Sequence, residues 1–200
     1  TNGRSVWTKF IGLSFKNAPG KGKMIINTQQ QWQKYLVIDK CIFADNGFKD
    51  IQFVANRDAN QDFNYIQIQD SAIIQNSIFE NNSGAISLGG QGISILNNIF
   101  RNNNTANNAS SFGTCVYTEG TTTVQNCLLY DNSLEYGYSH VSGHIHNKTG
   151  TLSMKNCTVT ENTSVAGYSG DIFVESGTVT ATNCILYNNS GTDNMKQATG

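Results

Sequence analysis

Along most of the chain, short stretches alternate between apolar and polar residues and are cut off by turn residues. In segment 170–189, Ile172 and Val174 share one face of a first stretch. Val179 and Ala181 share one face of a second, and Cys184 and Leu186 one face of a third. Ser176-Gly177 and Asn183 interrupt the alternation between them. Runs this short with a period of two predict β-strands, because a helix needs a longer run at a period of 3.6. The unit returns upstream. Six segments end in an apolar residue, two variable residues and an Asn: Phe43 to Asn46, Phe79 to Asn82, Phe100 to Asn103, Leu129 to Asn132, Val159 to Asn162 and Leu186 to Asn189. Five carry a further Asn three residues before the apolar one, namely Asn76, Asn97, Asn126, Asn156 and Asn183. In the last four, Gly84, Gly113, Gly143 and Gly170 lie sixteen residues before it.

A fixed unit joined by loops of variable length marks a solenoid. Three strands, each followed by a turn, close one triangular coil. The expected fold is therefore all-β: a right-handed parallel β-helix of about seven coils with three short strands per coil. Stacked coils pair about 4.8 Å apart, so equivalent residues form columns. One column is Phe15, Phe43, Phe79, Phe100, Leu129, Val159 and Leu186. A second is Phe10, Ile38, Ile74, Ile95, Val124, Met154 and Ala181, and a third Ile86, Cys115, Ile145 and Ile172. The Asn columns are expected to stack their amides into ladders and to supply the left-handed conformation that a sharp turn needs. Residues 1–200 make one domain, with less regular coils over 1–69, regular coils over 70–190 and a polar tail over 191–200. Thr1 falls in mid-pattern, so the chain is expected to be a piece of a longer protein.

Composition narrows the partners. Net charge is −1, which excludes the electrostatic footprint of a nucleic-acid binder. Only 14 % of residues are charged, and Asn, Ser, Thr and Gln take their place. Such a neutral polar surface suits an extracellular or cell-surface protein that meets glycans or other proteins. No apolar run approaches the roughly 18–20 residues of a membrane span.

The segments Ser83-Gly84-Ala85-Ile86, Phe79 to Asn82, Phe100 to Asn103 and Asn183-Cys184-Ile185-Leu186-Tyr187-Asn188-Asn189 resemble the repeats of right-handed parallel β-helix surface proteins. The closest echoes are the polymorphic outer-membrane-protein type, with Gly-Gly-Ala-Ile and Phe-x-x-Asn motifs, and related bacterial and archaeal adhesin-like repeats. The resemblance covers 70–190 well and 1–69 poorly, where Gly12 and Lys40 replace the first Asn. It implies surface display and adhesion and transfers no catalytic residue. The same fold carries polysaccharide lyases and glycoside hydrolases, so fold does not decide function.

Candidate chemistry gathers on the first strand of the coils. Alternation sends His144 and His146 outward, beside Asp171 and Phe173 of the following rung, with Glu119, Lys148 and Glu175 nearby. His144, His146, Asp171 and Glu175, together with Tyr130 and Tyr187, are the candidate ligand-binding residues. His-x-His on a strand is a possible metal half-site, and His140 a third ligand. Against it stands an ordinary polar surface on which Lys148 and Glu175 pair, so neither a metal nor another cofactor is assigned. No triad of acids supports a catalytic residue. Cys41, Cys127, Cys157 and Cys184 share an inward column expected to hold buried free thiols. Ile42, Ile78, Ile99, Leu128 and Ile185 form an outward apolar stripe that predicts an interface, unless loops over 104–112, 133–142 and 163–169 cover it. Sequons occur at Asn81, Asn103, Asn108, Asn147, Asn156, Asn162 and Asn188, with Asn103, Asn108 and Asn147 the expected acceptors. The favoured function is a non-enzymatic adhesin or passenger segment. A carbohydrate-active enzyme and a self-associating subunit of a surface filament are the alternatives.

Overall fold

The computed structural model describes residues 7–17, 26–27, 35–46, 64–68, 71–82, 85–104, 114–134, 143–164, 171–191 and 195–197. Three parallel sheets of seven strands each run along one axis. Sheet 1 comprises Trp7–Ile11, Tyr35–Asp39, Ser71–Gln75, Gln91–Leu96, Thr121–Gln125, Thr151–Lys155 and Thr178–Thr182. Sheet 2 comprises Ser14–Lys16, Ile42–Ala44, Ile78–Glu80, Ile99–Arg101, Leu128–Tyr130, Thr158–Thr160 and Ile185–Tyr187. Sheet 3 comprises Ile26–Asn27, Asn64–Ile68, Ala85–Leu88, Val116–Thr118, Ile145–Asn147, Ile172–Val174 and Met195–Gln197. A short pair, Ser133–Leu134 with Thr163–Ser164, sits after the sheet 2 strands. The chain passes from sheet 3 to sheet 1 to sheet 2 and on to the next coil, so each strand pairs with its equivalent one turn away.

The columns follow from that pairing. Phe15, Phe43, Phe79 and Phe100 stack with ring centroids 4.7, 5.0 and 4.7 Å apart. Leu129, Val159 and Leu186 continue the column in register. Phe10 through Ala181 align in the same way. Apart from Ala181, which is exposed on the last coil, these side chains pack into one continuous core, each fully buried member contributing about 1.5–3 kcal/mol. The third column differs by one residue from expectation. Val116, not Cys115, pairs with Ile86 and Ile145. Both Cys115 N and Val116 N donate to His144 O, at 3.1 and 3.2 Å. Two residues thus face one, a bulge that shifts the count from Gly113. Within residues 191–200, Met195–Gln197 pairs with Ile172–Val174.

Two corners shape each coil, and they divide the work of asparagine. At the corner from sheet 1 to sheet 2, Gly12, Lys40, Asn76, Asn97, Asn126, Asn156 and Asn183 all hold positive φ between 51° and 67°. Their exposed amides chain together: Asn97 donates to Asn76, Asn126 to Asn97 and Asn156 to Asn126, at 3.1–3.2 Å. At the corner after sheet 2 the left-handed residue is the one before the ladder Asn. Asp45, Asn81, Asn102, Asp131, Glu161 and Asn188 take positive φ there, as does Asn17 on the first coil, where Ala18 and not an Asn follows. The following Asn46, Asn82, Asn103, Asn132 and Asn162 are fully buried. Each of the last four donates one amide hydrogen to the next Asn Oδ1 and the other to a carbonyl of the preceding coil. That Oδ1 also accepts the backbone N–H.

Between sheets 3 and 1 the coils touch backbone to backbone. A Cβ on Gly120 would lie 1.9 Å from Gly90 O, and one on Gly150 2.4 Å from Gly120 O. Glycine is the residue that permits this approach.

Replacing Asn132 by Ala removes the acceptor of Asn103 and the donor to Phe100 O. The expected loss is roughly 3 kcal/mol or more, since each orphaned buried group costs about 1–3 kcal/mol. Asn126→Ala, on the exposed ladder, costs less because water replaces the lost partners. Urea unfolding of both variants measures the difference; equal losses would refute the division between the ladders.

Candidate functional site

Sheet 3 is built unlike the other two. Its strands Val116–Thr118, Ile145–Asn147 and Ile172–Val174 are buried at every position. Val116, Ile145, Ile172 and Val174 belong to the core. Tyr117, His146 and Phe173 alternate with them and align on the opposite face. They are only 5 %, 0 % and 1 % exposed. The His146 ring stands edge-on between Tyr117 and Phe173, with centroids 5.2 and 5.0 Å away. Alternation therefore gave the right face for His146 and the wrong exposure, because period-two patterning reports direction and not what lies over a sheet.

Charged residues rim this aromatic column. His146 Nε2 lies 3.3 Å from Glu175 Oε2. Tyr117 OH donates to Glu119 Oε1 at 2.7 Å, and Lys148 Nζ to the same oxygen at 2.9 Å. The expected Lys148–Glu175 pairing is corrected: Lys148 turns to Glu119, and Glu175 to His146.

His144 and Asp171 occupy a corner column and are fully buried, not exposed as alternation implied. His144 Nδ1 is hydrogen-bonded with Thr114 Oγ1, and its Nε2 lies 3.4 Å from Ser164 Oγ. Burial pulls the His144 imidazole down to about 3, against a hydrogen bond to the Thr163 backbone carbonyl that raises it. Asp171 Oδ2 accepts from Asn189 Nδ2 at 2.8 Å. Burial pushes its carboxyl up to about 7, and the Asn189 bond offsets part of that rise. Asn189 also donates to Val159 O at 2.9 Å. On earlier rungs that second amide hydrogen meets the next Asn Oδ1. Asp171 thus stands where a further ladder Asn would, and ties off the buried ladder. Sequence spacing could not find this role, because Asp171 opens the coil that Asn189 closes and lies far from it in pattern. Among the described residues no group of three or more His, Cys, Asp and Glu is placed to hold a metal ion. His140 lies outside the described residues.

The remaining candidates are on sheet 2. Ile42, Ile78, Ile99, Leu128 and Ile185 align into one outward column, interrupted by Thr158. The first four are half-buried, while Ile185 is 59 % exposed. Tyr130 and Tyr187 lie two residues on, in the column of Glu80, Arg101 and Thr160. Arg101 Nη1 donates to Tyr130 OH at 3.2 Å and its Nε to Glu80 Oε2 at 2.9 Å. These bonds, Tyr130 first, hold the guanidinium further above its already high ordinary value. Most of the loops proposed as cover for the stripe lie outside the described residues.

Cys41, Ser77, Asn98, Cys127, Cys157 and Cys184 share one inward column, and all five cysteines are free. Each side chain in this column donates to a backbone carbonyl; for the four thiols and Ser77 it is that of the residue two earlier. The thiols are thus corner donors as well as small apolar groups. The hydrogen bond with Cys157, then burial, push the Cys127 thiol up. Of the expected glycan acceptors, Asn103 and Asn147 are fully buried and Asn103 is a ladder member. Asn108 lies outside the described residues, and Asn81, Asn156 and Asn188 are the exposed sequon asparagines.

A family model described as a right handed beta helix region matches residues 57–199, most of the chain. No characterised protein and no solved structure matches it.

The buried pair predicts an unusual pH profile. Asp171 holds its proton up to about 7 in the folded chain against 3.8 unfolded, so its contribution is present at low pH and is lost as pH rises through that window. His144 stays neutral down to about 3 against 6.5 unfolded, so stability is lost as pH falls from 6.5 towards 3. The two slopes oppose over most of the acid range. Relative to the parent, Asp171→Asn is expected to gain a slope of up to about 1.4 kcal/mol per pH unit, rising with pH. His144→Gln is expected to tilt the opposite way. Urea melts between pH 4 and 7 check this; parallel profiles for all three proteins would refute it.

Proposed function

Because the chain belongs to the right-handed β-helix family, a fold whose rigid sides are set by stacked coils, we propose that it is a non-enzymatic extracellular segment for surface attachment. It acts as an adhesin or passenger-type β-helix, displayed at the cell surface, whose long faces meet glycans or neighbouring proteins. The observation that carries this reading is where the ionisable groups sit. His144, His146 and Asp171 are sealed inside and engaged with Thr114, the aromatic column and Asn189. The outer positions of sheets 1 and 2 carry mainly Thr, Ser, Gln, Ile and Tyr on a stack that cannot collapse around a small substrate. Such a surface supports broad, shallow attachment better than acid–base chemistry, which needs a titrating group within reach of the substrate.

Self-association is a second reading, favoured by one observation. The large exposed apolar side chains gather on the first and last described coils: Ile11 and Leu13 at one, Ile185, Tyr187 and Met195 at the other.

Incubation with neutral and acidic polysaccharides, with and without Ca²⁺ or Zn²⁺, tests the main reading. Retention on at least one immobilised polysaccharide or cell surface, with no oligosaccharide released by mass spectrometry, is the expected result. Release of oligosaccharides would replace it with the carbohydrate-active enzyme. Sedimentation of Ile185→Ser/Tyr187→Ser against the parent tests the second reading, which requires the variant to be less associated.

A further inference from the structure

The outer face of sheet 1 changes character along the axis. On the early coils it carries Tyr35, Val37 and Asp39. From Gln91 onward two of its columns become neutral and almost wholly hydroxylic. One runs Gln91, Thr121, Thr151, Thr178, and the other Ser94, Thr123, Ser153, Thr180. The inward partners Ile93, Thr122, Leu152 and Val179 share the same strands, so alternation fixes the hydroxyls outward. Thr121, Thr151, Thr178 and Thr180 are exposed, while Ser94, Thr123 and Ser153 are half-exposed. Thr121 Oγ1 bonds Gln91 Oε1 at 2.6 Å. The hydroxyls of Thr123, Thr151, Ser153, Thr178 and Thr180 have no hydrogen-bond partner among the described residues. No charge interrupts either column; Lys155 flanks them on the same face at the end of its strand, and the outer face of sheet 2 carries the Glu80–Arg101 pair.

From this grid we infer a binding face for the surface of a packed, uncharged, hydroxyl-bearing polysaccharide. The inference deepens the attachment reading and rests on it. Backbone pairing spaces the hydroxyls about 4.8 Å along the axis, and two residues of strand space them about 6.6 Å across it. Each hydroxyl contact with a sugar nets only about 0.5–1.5 kcal/mol, so one saccharide unit gains too little to be held. Affinity accumulates only where the ligand is itself rigid and periodic, because its ordering cost is already met. A charged glycan would leave its charges desolvated against neutral hydroxyls. A neutral ordered polymer leaves none. Thr also offers a methyl beside each hydroxyl, which suits the mixed apolar and hydroxylic face of a sugar ring.

The probes are particles of microcrystalline cellulose and of chitin. The test variant is Thr123→Val/Ser153→Ala/Thr180→Val, which removes three hydroxyls and keeps β-propensity; circular dichroism verifies its fold. Depletion isotherms are expected to show retention of the parent on at least one polymer. The variant should partition roughly tenfold or more weakly, the sum of three small contacts. Soluble cellohexaose should compete poorly. Failure of the parent to bind either particle would overturn the inference, as would equal binding by parent and variant or full competition by the hexaose. Equal binding by that variant, with loss in Ile99→Ser/Leu128→Ser, would leave attachment standing on sheet 2 and remove it from this face. Inhibition of ice recrystallisation without particle retention would assign the grid to ordered water and equally overturn it.

Discussion

The buried asparagine ladder is the constraint on which the rest of the molecule depends. Each inner Asn is both donor and acceptor, and each rung satisfies the one before it. A slip of one residue in any coil would leave an amide and a carbonyl buried without partners, and would turn that coil's core face outward. Register is therefore fixed at every turn, and every other column inherits its alignment. The phenylalanine stack, the corner donors and the outward hydroxyl grid are all consequences of the same axial repeat. Core burial supplies more free energy than the ladder, but it does not choose between registers so sharply. Leu or Ile one rung out of place still finds an apolar neighbour, while an amide does not.

What was legible in the sequence follows from this hierarchy. The spacing of Phe79 to Asn82 or Leu129 to Asn132 lies inside one rigid unit, so counting residues located two core columns and both corners. Even Gly12 and Lys40, which break the Asn pattern, hold the same left-handed conformation as Asn76, because the corner and not the side chain sets the backbone. Counting failed where the chain bulges, at Cys115 and Val116. It also failed where a side chain closes a coil on its own far end, as Asp171 does on Asn189. Neither event leaves a mark on local periodicity. The exposure of His146 was illegible for a different reason. Alternation tells which way a residue points, but a sheet face becomes an interior as soon as more of the protein lies against it.

Burial of that face changes what its chemistry can be. A histidine between two aromatic edges and a carboxyl capping a ladder look in sequence like the parts of an active site. In the fold they are parts of a second, polar interior. The perturbed values of His144 and Asp171 arise from loss of water, the same cause that tunes catalytic groups, so perturbation alone does not separate structure from function. Access does. His144 is enclosed by Thr114 and Ser164, and Asp171 by Asn189, so neither presents a free face to a substrate.

On the attachment reading proposed above, function rests on the open faces, and a solenoid distributes these in an orderly way. Because equivalent positions stack, any surface preference at one rung is repeated on the next, and the chain writes its faces as columns. Sheet 3 is closed over Tyr117, His146 and Phe173. Sheet 2 shows a half-buried aliphatic column beside a polar one. Sheet 1 shows hydroxyls over its later coils and aromatic and aliphatic groups over its early ones. A globular protein gathers a site from distant segments, and its specificity rests on the exact placement of few atoms. A stacked coil repeats one weak contact at a fixed interval, so its selectivity lies in matching a period. A partner without a period gains from only one rung at a time, and this is the physical reason why the proposed attachment would favour extended, repetitive partners.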